Sequence, residues 1–252
     1  MKSTNQSLLS KNFIPSVIIA IAIIITASIF AGAYKYKFKT TETITVTGLA
    51  EKEFVSDLIT WSGEYQRKSL ELKDAYRLIK NDEATVRQYL KSNKINDNEI
   101  VFSSITIQKE YTQKRDENGH TVSSVFTGFK LSQHVTVESK NIDKVELVSR
   151  EVTKLIESGI EISSLEPSYF YTKLSELKID LLAKASADAK KRAETIAENS
   201  GSSLGKILKA DMGVFQITAP NSNESFSFGG TFNTSSKTKK ATITIRINYA
   251  VK

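Results

Sequence analysis

Two histidines are the chain's only imidazole groups, and imidazole is the side chain best suited to proton transfer and metal binding near neutral pH. His120 lies beside a predicted turn, and His134 lies on the polar face of a predicted strand. They form neither of the short histidine spacings, HxxH and HExxH, that hold zinc on one helix. We therefore interpret both as solvated surface residues.

Other catalytic patterns are also missing from the sequence. The chain has no cysteine and no GxSxG, Walker or GxGxxG motif, and Gly229-Gly230 precedes no predicted helix. Acidic pairs such as Asp82-Glu83 and Asp116-Glu117 are adjacent in sequence, so we expect exposed charge rather than two carboxylates across a cleft. The sequence predicts a non-catalytic protein with no metal and no cofactor.

A long predicted helix carries residues that could contact other copies of the chain. Asp188 and Arg192 stand four positions apart, where an ion pair at the surface would contribute about 0.3–0.5 kcal/mol. The alternative is a contact between subunits. Small residues recur on one stripe of the same helix, where a backbone can approach closely, on a sheet or on a partner helix. The stripe includes Ala185, Ala189 and Ala193.

Residues 219–240 form a segment rich in Ser, Asn, Gly and Thr, whose composition predicts a loop that is long for a compact domain. Phe226, Phe228 and Phe232 are interleaved in it. Aromatic rings on a polar loop expose apolar area unless something covers them. A neighbouring subunit or a membrane surface could cover the rings, or the loop could fold back on its own domain.

Residues 13–34 carry no charge and lie between lysines on both sides. As a helix they would span about 33 Å, enough to cross a bilayer. We predict a tail at 1–12, a transmembrane anchor at 13–34 and a linker at 35–41. Ala31-Gly32-Ala33 also resembles a signal-peptidase site, so a cleaved signal is the alternative. Both interpretations place the domain at 42–252 outside the cytoplasm.

The net charge of +7 does not indicate nucleic-acid binding. Residues 1–39 hold five lysines and no acidic residue, which leaves 30 basic and 28 acidic residues in the remainder. A net charge of +2 on the soluble part is a weak electrostatic match for DNA or RNA. We expect membrane attachment through 13–34 and no nucleic-acid partner.

The soluble part alternates between strand and helix patterns, which favours an α+β fold with antiparallel or mixed sheets and helices packed on one face. Asn118-Gly119 supplies a hairpin turn, and Asn141 an N-cap. Strands are predicted at 42–50, 57–65, 101–110, 121–138, 160–171, 204–218 and 241–251, and helices at 69–93, 141–158 and 172–199.

These segments together resemble the SIMPL-domain family of bacterial proteins. The match covers about residues 42–252, and its order and spacing are more specific than any single piece. The matching segments are Ile44-Thr45-Val46-Thr47-Gly48, 126–133 (FTGFKLSQ), Ser158-Gly159-Ile160, 185–197 (ASADAKKRAETIA), Gly201 and Leu204-Gly205.

The resemblance implies a domain outside the cytoplasm, often in the periplasm, although the long anchor departs from members with short cleavable signals. With the anchor predicted at 13–34, we expect a single-pass protein of the bacterial inner membrane with its domain in the periplasm. It implies a homo-oligomer that serves as a scaffold or in envelope and oxidative-stress defence. It supplies no catalytic residues to carry over. The alternative is a module that binds a peptide or an unidentified small ligand in a cleft between two α/β halves.

Overall fold

A computed structural model describes residues 7–37 and 42–252 of the chain. Four α-helices and ten strands are described. The helices are α1 (Ser7–Lys37), α2 (Leu72–Ser92), α3 (Ile142–Glu151) and α4 (Leu174–Asn199). The strands are β1 (Thr43–Val55), β2 (Leu58–Ser69), β3 (Ile100–Phe102), β4 (Thr106–Arg115), β5 (Thr121–Ser139), β6 (Glu161–Ser164), β7 (Ser168–Phe170), β8 (Leu204–Met212), β9 (Gln216–Thr218) and β10 (Thr238–Val251).

Helix α1 contains the predicted apolar span. Within the described residues, Pro15–Lys37 is the one helical segment long and apolar enough to cross a membrane, with a mean hydropathy of 2.5 and no buried residue. The segment Pro15–Lys37 is about 35 Å long. The helix also includes parts of the predicted tail and linker, while residues 1–6 and 38–41 lie outside the described residues. Cleavage and orientation remain predictions.

The α+β class is confirmed, and its larger sheet has six antiparallel strands. β2 and β5 form its centre, paired from Ile59 opposite Ser139 to Ser69 opposite Phe129. β3 and β4 pair with β5, and β6 and β7 pair with β2. The strand predicted at 57–65 is confirmed as part of β2, where the alternate residues Ile59, Trp61 and Tyr65 are buried.

Helices α2 and α3 pack their apolar stripes on this sheet. The predicted N-cap of α3 is confirmed, because Asn141 Oδ1 accepts a hydrogen bond from Lys144 N at 3.2 Å. The helix continues as a 3₁₀ turn that ends at Gly159, which has φ +79°. The core side chains from the two helices are Ala75, Ile79, Val86, Leu90, Ile142, Val145 and Val148.

The smaller sheet has the strand order β1-β10-β8, with β9 pairing β10. Its central strand, β10, contains the strand predicted at 241–251 and buries alternate residues, namely Ala241, Ile243, Ile245, Ile247 and Tyr249. Helix α4 approaches β1 closely at Gly48. A Cβ added there would lie 2.1 Å from the Ala185 carbonyl oxygen and 2.7 Å from the Ala189 Cβ.

Three predicted strands are interrupted. The segment 101–110 divides into β3 and β4, and 204–218 divides into β8 and β9 at Gly213. The segment 160–171 divides into β6 and β7 at Glu166-Pro167, because proline has no N–H for the sheet ladder. Each of the three segments does form strands, but the sequence analysis did not predict the interruption within it.

The chain divides into two compact units. One comprises Met1–Thr45, Ala193–Lys209 and Asn248–Lys252, and the other comprises Val46–Arg192 and Ala210–Ile247. The larger unit contains the whole six-stranded sheet, while β1, β8 and β10 each have residues in both units. The features that could recognise another molecule lie on β8 and in the larger unit.

Candidate functional site: an open sheet edge and a phenylalanine-lined groove

Strand β8 is an end strand of the smaller sheet, and no described strand pairs with its outer side. Every residue from Lys206 to Met212 is exposed. We call β8 the open edge. Apolar side chains are frequent on it and directly after it, although water normally disfavours such a surface. The exposed apolar residues are Ile207, Leu208, Met212 and Val214.

A groove of about 340 Å³ lies where the chain passes from β8 to β9. We call it the phenylalanine groove. Val214, Phe226, Phe228 and Ile243 supply its apolar lining, and its polar lining comes from Gln216, Ser227, Thr242 and Thr244. Apolar walls with a few polar groups are typical of recognition sites for ligands or peptides.

The loop that carries the phenylalanines is ordered by the buried side chain of Gln216. Its Nε2 donates to the Ser227 carbonyl oxygen at 2.8 Å, and its Oε1 accepts from Thr231 N at 2.7 Å. The Ile217 amide also donates to the Thr231 carbonyl at 2.7 Å. One amide side chain thus replaces backbone partners across the base of the loop.

A second group of bonds holds the two ends of the loop. Glu224 accepts from Ala219 N at 2.9 Å and from Asn233 Nδ2 at 2.5 Å. These bonds, led by the one from Ala219, lower the pKa of the Glu224 carboxyl. Lys239 Nζ, which is buried, donates to the Asn233 carbonyl oxygen at 2.6 Å. Burial lowers the pKa of Lys239 to about 8, with the Glu224 charge opposing the effect.

The three phenylalanines stand outside this polar framework. Phe226 is 68% exposed, Phe228 fully exposed and Phe232 47% exposed. The loop backbone is therefore folded on its own domain, while the rings remain uncovered within the described chain. The loop thus folds back on its own domain, which was one of the two alternatives, but this leaves the rings exposed. Their cover by a neighbouring subunit or a membrane surface stays a prediction.

The opposite edge of the smaller sheet, β1, is arranged differently. The Leu49 amide of β1 donates to Asp188 Oδ2 on α4 at 2.9 Å. Arg192 Nε donates to the same oxygen at 2.8 Å, which confirms the predicted pair four residues apart. The bond from Leu49 and, after it, the Arg192 pair lower the pKa of the Asp188 carboxyl.

The alanine stripe proposed for contacts between copies is internal. Ala185, Ala189 and Ala193 have no exposed surface in the chain, and the first two lie against Gly48 of β1. The predicted close approach is therefore made to a sheet of the same chain. A contact between copies would find no exposed surface on these three alanines.

The histidines lie apart on exposed surface, as expected. The His120 ring nitrogen lies 3.5 Å from Asp116, and that of His134 lies 4.0 Å from Glu64. Across residues 7–37 and 42–252, no group of three or more His, Cys, Asp and Glu side chains is arranged to hold a metal ion. The predicted hairpin turn next to His120 is present, with φ +83° at Gly119.

The expectation of exposed charge at Asp82-Glu83 was wrong for Asp82, which is buried. Arg67 binds it through two nitrogens, at 2.5 and 2.7 Å, and this hydrogen bond with Asp82 raises the pKa of the guanidinium. Glu83 accepts from Gln133 Nε2 at 3.0 Å. The pairing was missed because β2 brings Arg67 to α2 only after folding, although the helical spacing of Ile79 and Val86 offered a weak signal of where α2 faces inward.

Sequence reasoning also missed three buried polar residues, namely Gln216 on β9 and Asn233 and Lys239 in the polar segment 219–240. Lys239 lies two residues before Ala241, where the apolar alternation of β10 begins, and its charge gave no sign that it is buried. A family model for SIMPL, described as a protein of unknown function, matches residues 44–250. No curated protein matches the chain.

Proposed function

Because the chain belongs to the SIMPL family, we propose that it is a membrane-anchored protein of a bacterial envelope that assembles with further copies of itself outside the cytoplasm. It acts as a scaffold and has no catalytic activity. The apolar helix Pro15–Lys37 supports the anchor. A role in envelope or oxidative stress stays a prediction from the family resemblance.

The exposed phenylalanines carry this proposal. Phe226 and Phe228 are 68% and 104% exposed, on a loop whose backbone is held by Gln216 and Glu224. Each phenylalanine that is covered removes about 150–250 Å² from water. At about 25 cal/mol per Å², covering the exposed part of both rings favours contact with a second molecule and opposes the loss of translational and rotational freedom on association.

Light scattering after size exclusion of the full chain in detergent tests the assembly. We expect a protein mass above that of one chain, 28.0 kDa. The double variant Phe226→Ser, Phe228→Ser should shift the mass toward that of one chain. Tyr111→Ser, which removes another exposed aromatic ring, is the matched control and should leave the mass unchanged. A wild-type protein that runs as a single chain would overturn the proposal.

Labelling of intact cells tests the location. The chain has no cysteine, so Asn223→Cys places a single thiol on the exposed loop. A membrane-impermeant maleimide should label this variant in intact cells, whereas Ser3→Cys in the predicted cytoplasmic tail should react only after lysis. Labelling of both variants only after lysis would place the domain in the cytoplasm.

The groove supports a second candidate, a module that binds an apolar ligand or peptide. Its 340 Å³ volume lies within the range of ligand sites, about 300–1,000 Å³. Gln216, Thr242 and Thr244 supply polar groups beside the apolar lining. Saturable binding of an apolar peptide to monomeric full chain, lost on Phe228→Ser, would favour this candidate over self-assembly.

A further inference from the structure

The open edge offers a specific way for two copies to join. An end strand presents unpaired N–H and C=O groups, to which another strand can add. β8 lies at the end of the order β1-β10-β8, and its residues from Lys206 onward are exposed. The edge at β1, in contrast, has its Leu49 amide bonded to Asp188.

The charged residues of β8 determine which kind of strand can pair with its outer side. Lys206 and Lys209 oppose pairing with a strand that presents positive charge at the facing positions. A copy of β8 itself, turned antiparallel about Ala210, presents the opposite charge, because Lys209 of each copy then faces Asp211 of the other. Lys209 and Asp211 also have partners inside their own chain, and the contact across copies adds to those.

The same register matches the apolar side chains. Leu208 of one copy faces Met212 of the other, and both residues are exposed in the single chain. The strand ends at Met212, so Lys206 faces the chain beyond the paired segment and its charge meets no lysine of the other β8. A register centred on Lys209 would instead oppose two lysines, which costs free energy.

We propose that β8 of one copy pairs antiparallel with β8 of a second copy, with Ala210 at the twofold axis. This inference rests on the proposed self-assembly and names a second surface, beside the exposed phenylalanines, that contributes to it. A two-strand contact is small compared with a standard interface of about 1,600 Å². The apolar anchor offsets this, because confinement to one membrane raises the effective concentration of the copies.

Crosslinking of the full-length protein in cell membranes tests the register. The cysteine-free chain allows a single thiol to be introduced by Ala210→Cys. A short bis-maleimide should then give a covalent dimer on a denaturing gel. Thr47→Cys, an exposed position on β1, is the matched control and should give none.

A charge exchange in the Ala210→Cys background tests the pairing itself. Asp211→Lys should reduce the crosslinked fraction about tenfold, because each lysine then faces a lysine. Adding Lys209→Asp should restore the crosslink, and the thermal midpoint of each variant shows that it is folded. A protein above single-chain mass without crosslinking at 210 would overturn this inference alone. A protein at single-chain mass would overturn the proposed function as well.

Discussion

The smaller sheet has two end strands, β1 and β8, and the surroundings of these two strands differ. At β1, Asp188 on α4 accepts the Leu49 amide, and Lys52 pairs with Asp180 at 3.3 Å. At β8, exposed Leu208 and Met212 lie on an end strand that no described strand covers. Both edges belong to one sheet, but α4 lies against β1 at Gly48, whereas no described strand pairs with the outer side of β8.

We expect the β1 edge to contribute mainly to the stability of the chain and the β8 edge mainly to contact with another molecule. Closing an edge takes backbone partners from the same chain, and the closed edge then contributes to folding. An end strand can also pair with a further strand through the backbone groups on its outer side. Mutations at β1 should therefore change the stability of the monomer, and mutations at β8 should change assembly.

The largest effect is expected from Gly48→Ala at the closed edge. The added Cβ would lie 2.1 Å from the Ala185 carbonyl oxygen, which belongs to a helix backbone that cannot move aside. We expect a loss of about 3 kcal/mol or more in the free energy of unfolding, measured by denaturant titration. Thr47→Ala, one residue earlier and exposed, should change it by under about 0.5 kcal/mol. A folded Gly48→Ala protein of wild-type stability would show that α4 does not close this edge tightly.

Lys239→Met tests the loop beside the open edge through its pH dependence. The folded pKa of Lys239 is about 8, below the ordinary 10.5, so the unfolded chain binds more protons between these values. The free energy of unfolding should therefore rise by about 3 kcal/mol as the pH increases from 8 to 10.5. The methionine variant should lack this rise. Identical pH profiles for the two proteins would contradict the assigned burial of the ammonium group.

Asp188→Ala removes the hydrogen bond between the Leu49 amide of β1 and the Asp188 carboxylate of α4. The Leu49 amide and Arg192 lose their common acceptor, for which we expect about 1 kcal/mol of destabilisation. The pKa of Asp188 is lowered by folding, so its contribution is present above the ordinary carboxyl pKa and disappears as the pH falls through the folded value. Thermal melting at neutral and acidic pH should show the loss at neutral pH only. Glu176→Ala on the same helix is the control.

Met212→Lys should have the smallest effect on stability, under about 0.5 kcal/mol, because the side chain is 65% exposed. It should nevertheless reduce assembly, since a charge replaces the apolar partner of Leu208. Light scattering and a thermal melt of the same sample separate the two effects. An unchanged mass would show that β8 is not the contact surface.

The periodicity of apolar residues and the residues typical of turns and helix caps allowed much of the fold to be predicted from the sequence. The alternation in β10, the Asn118-Gly119 hairpin and the Asn141 N-cap depend on neighbouring residues, so they were read correctly. The interruptions of three strands were missed, because a break depends on which strand lies alongside. In the candidate site, the sequence located the three phenylalanines but not the side chains that hold them outward.

Composition and local spacing by themselves determined the apolar helix, the α+β class and the lack of cysteine chemistry, because these depend on residues close together in the chain. Only the tertiary structure decided that Asp82 is buried against Arg67 and that Asp188 serves the Leu49 amide. It also decided that the alanine stripe faces Gly48 inside the chain while β8 is left at the edge. The physical reason is that burial and hydrogen-bond partners are set by residues distant in sequence, on which local patterns carry no information.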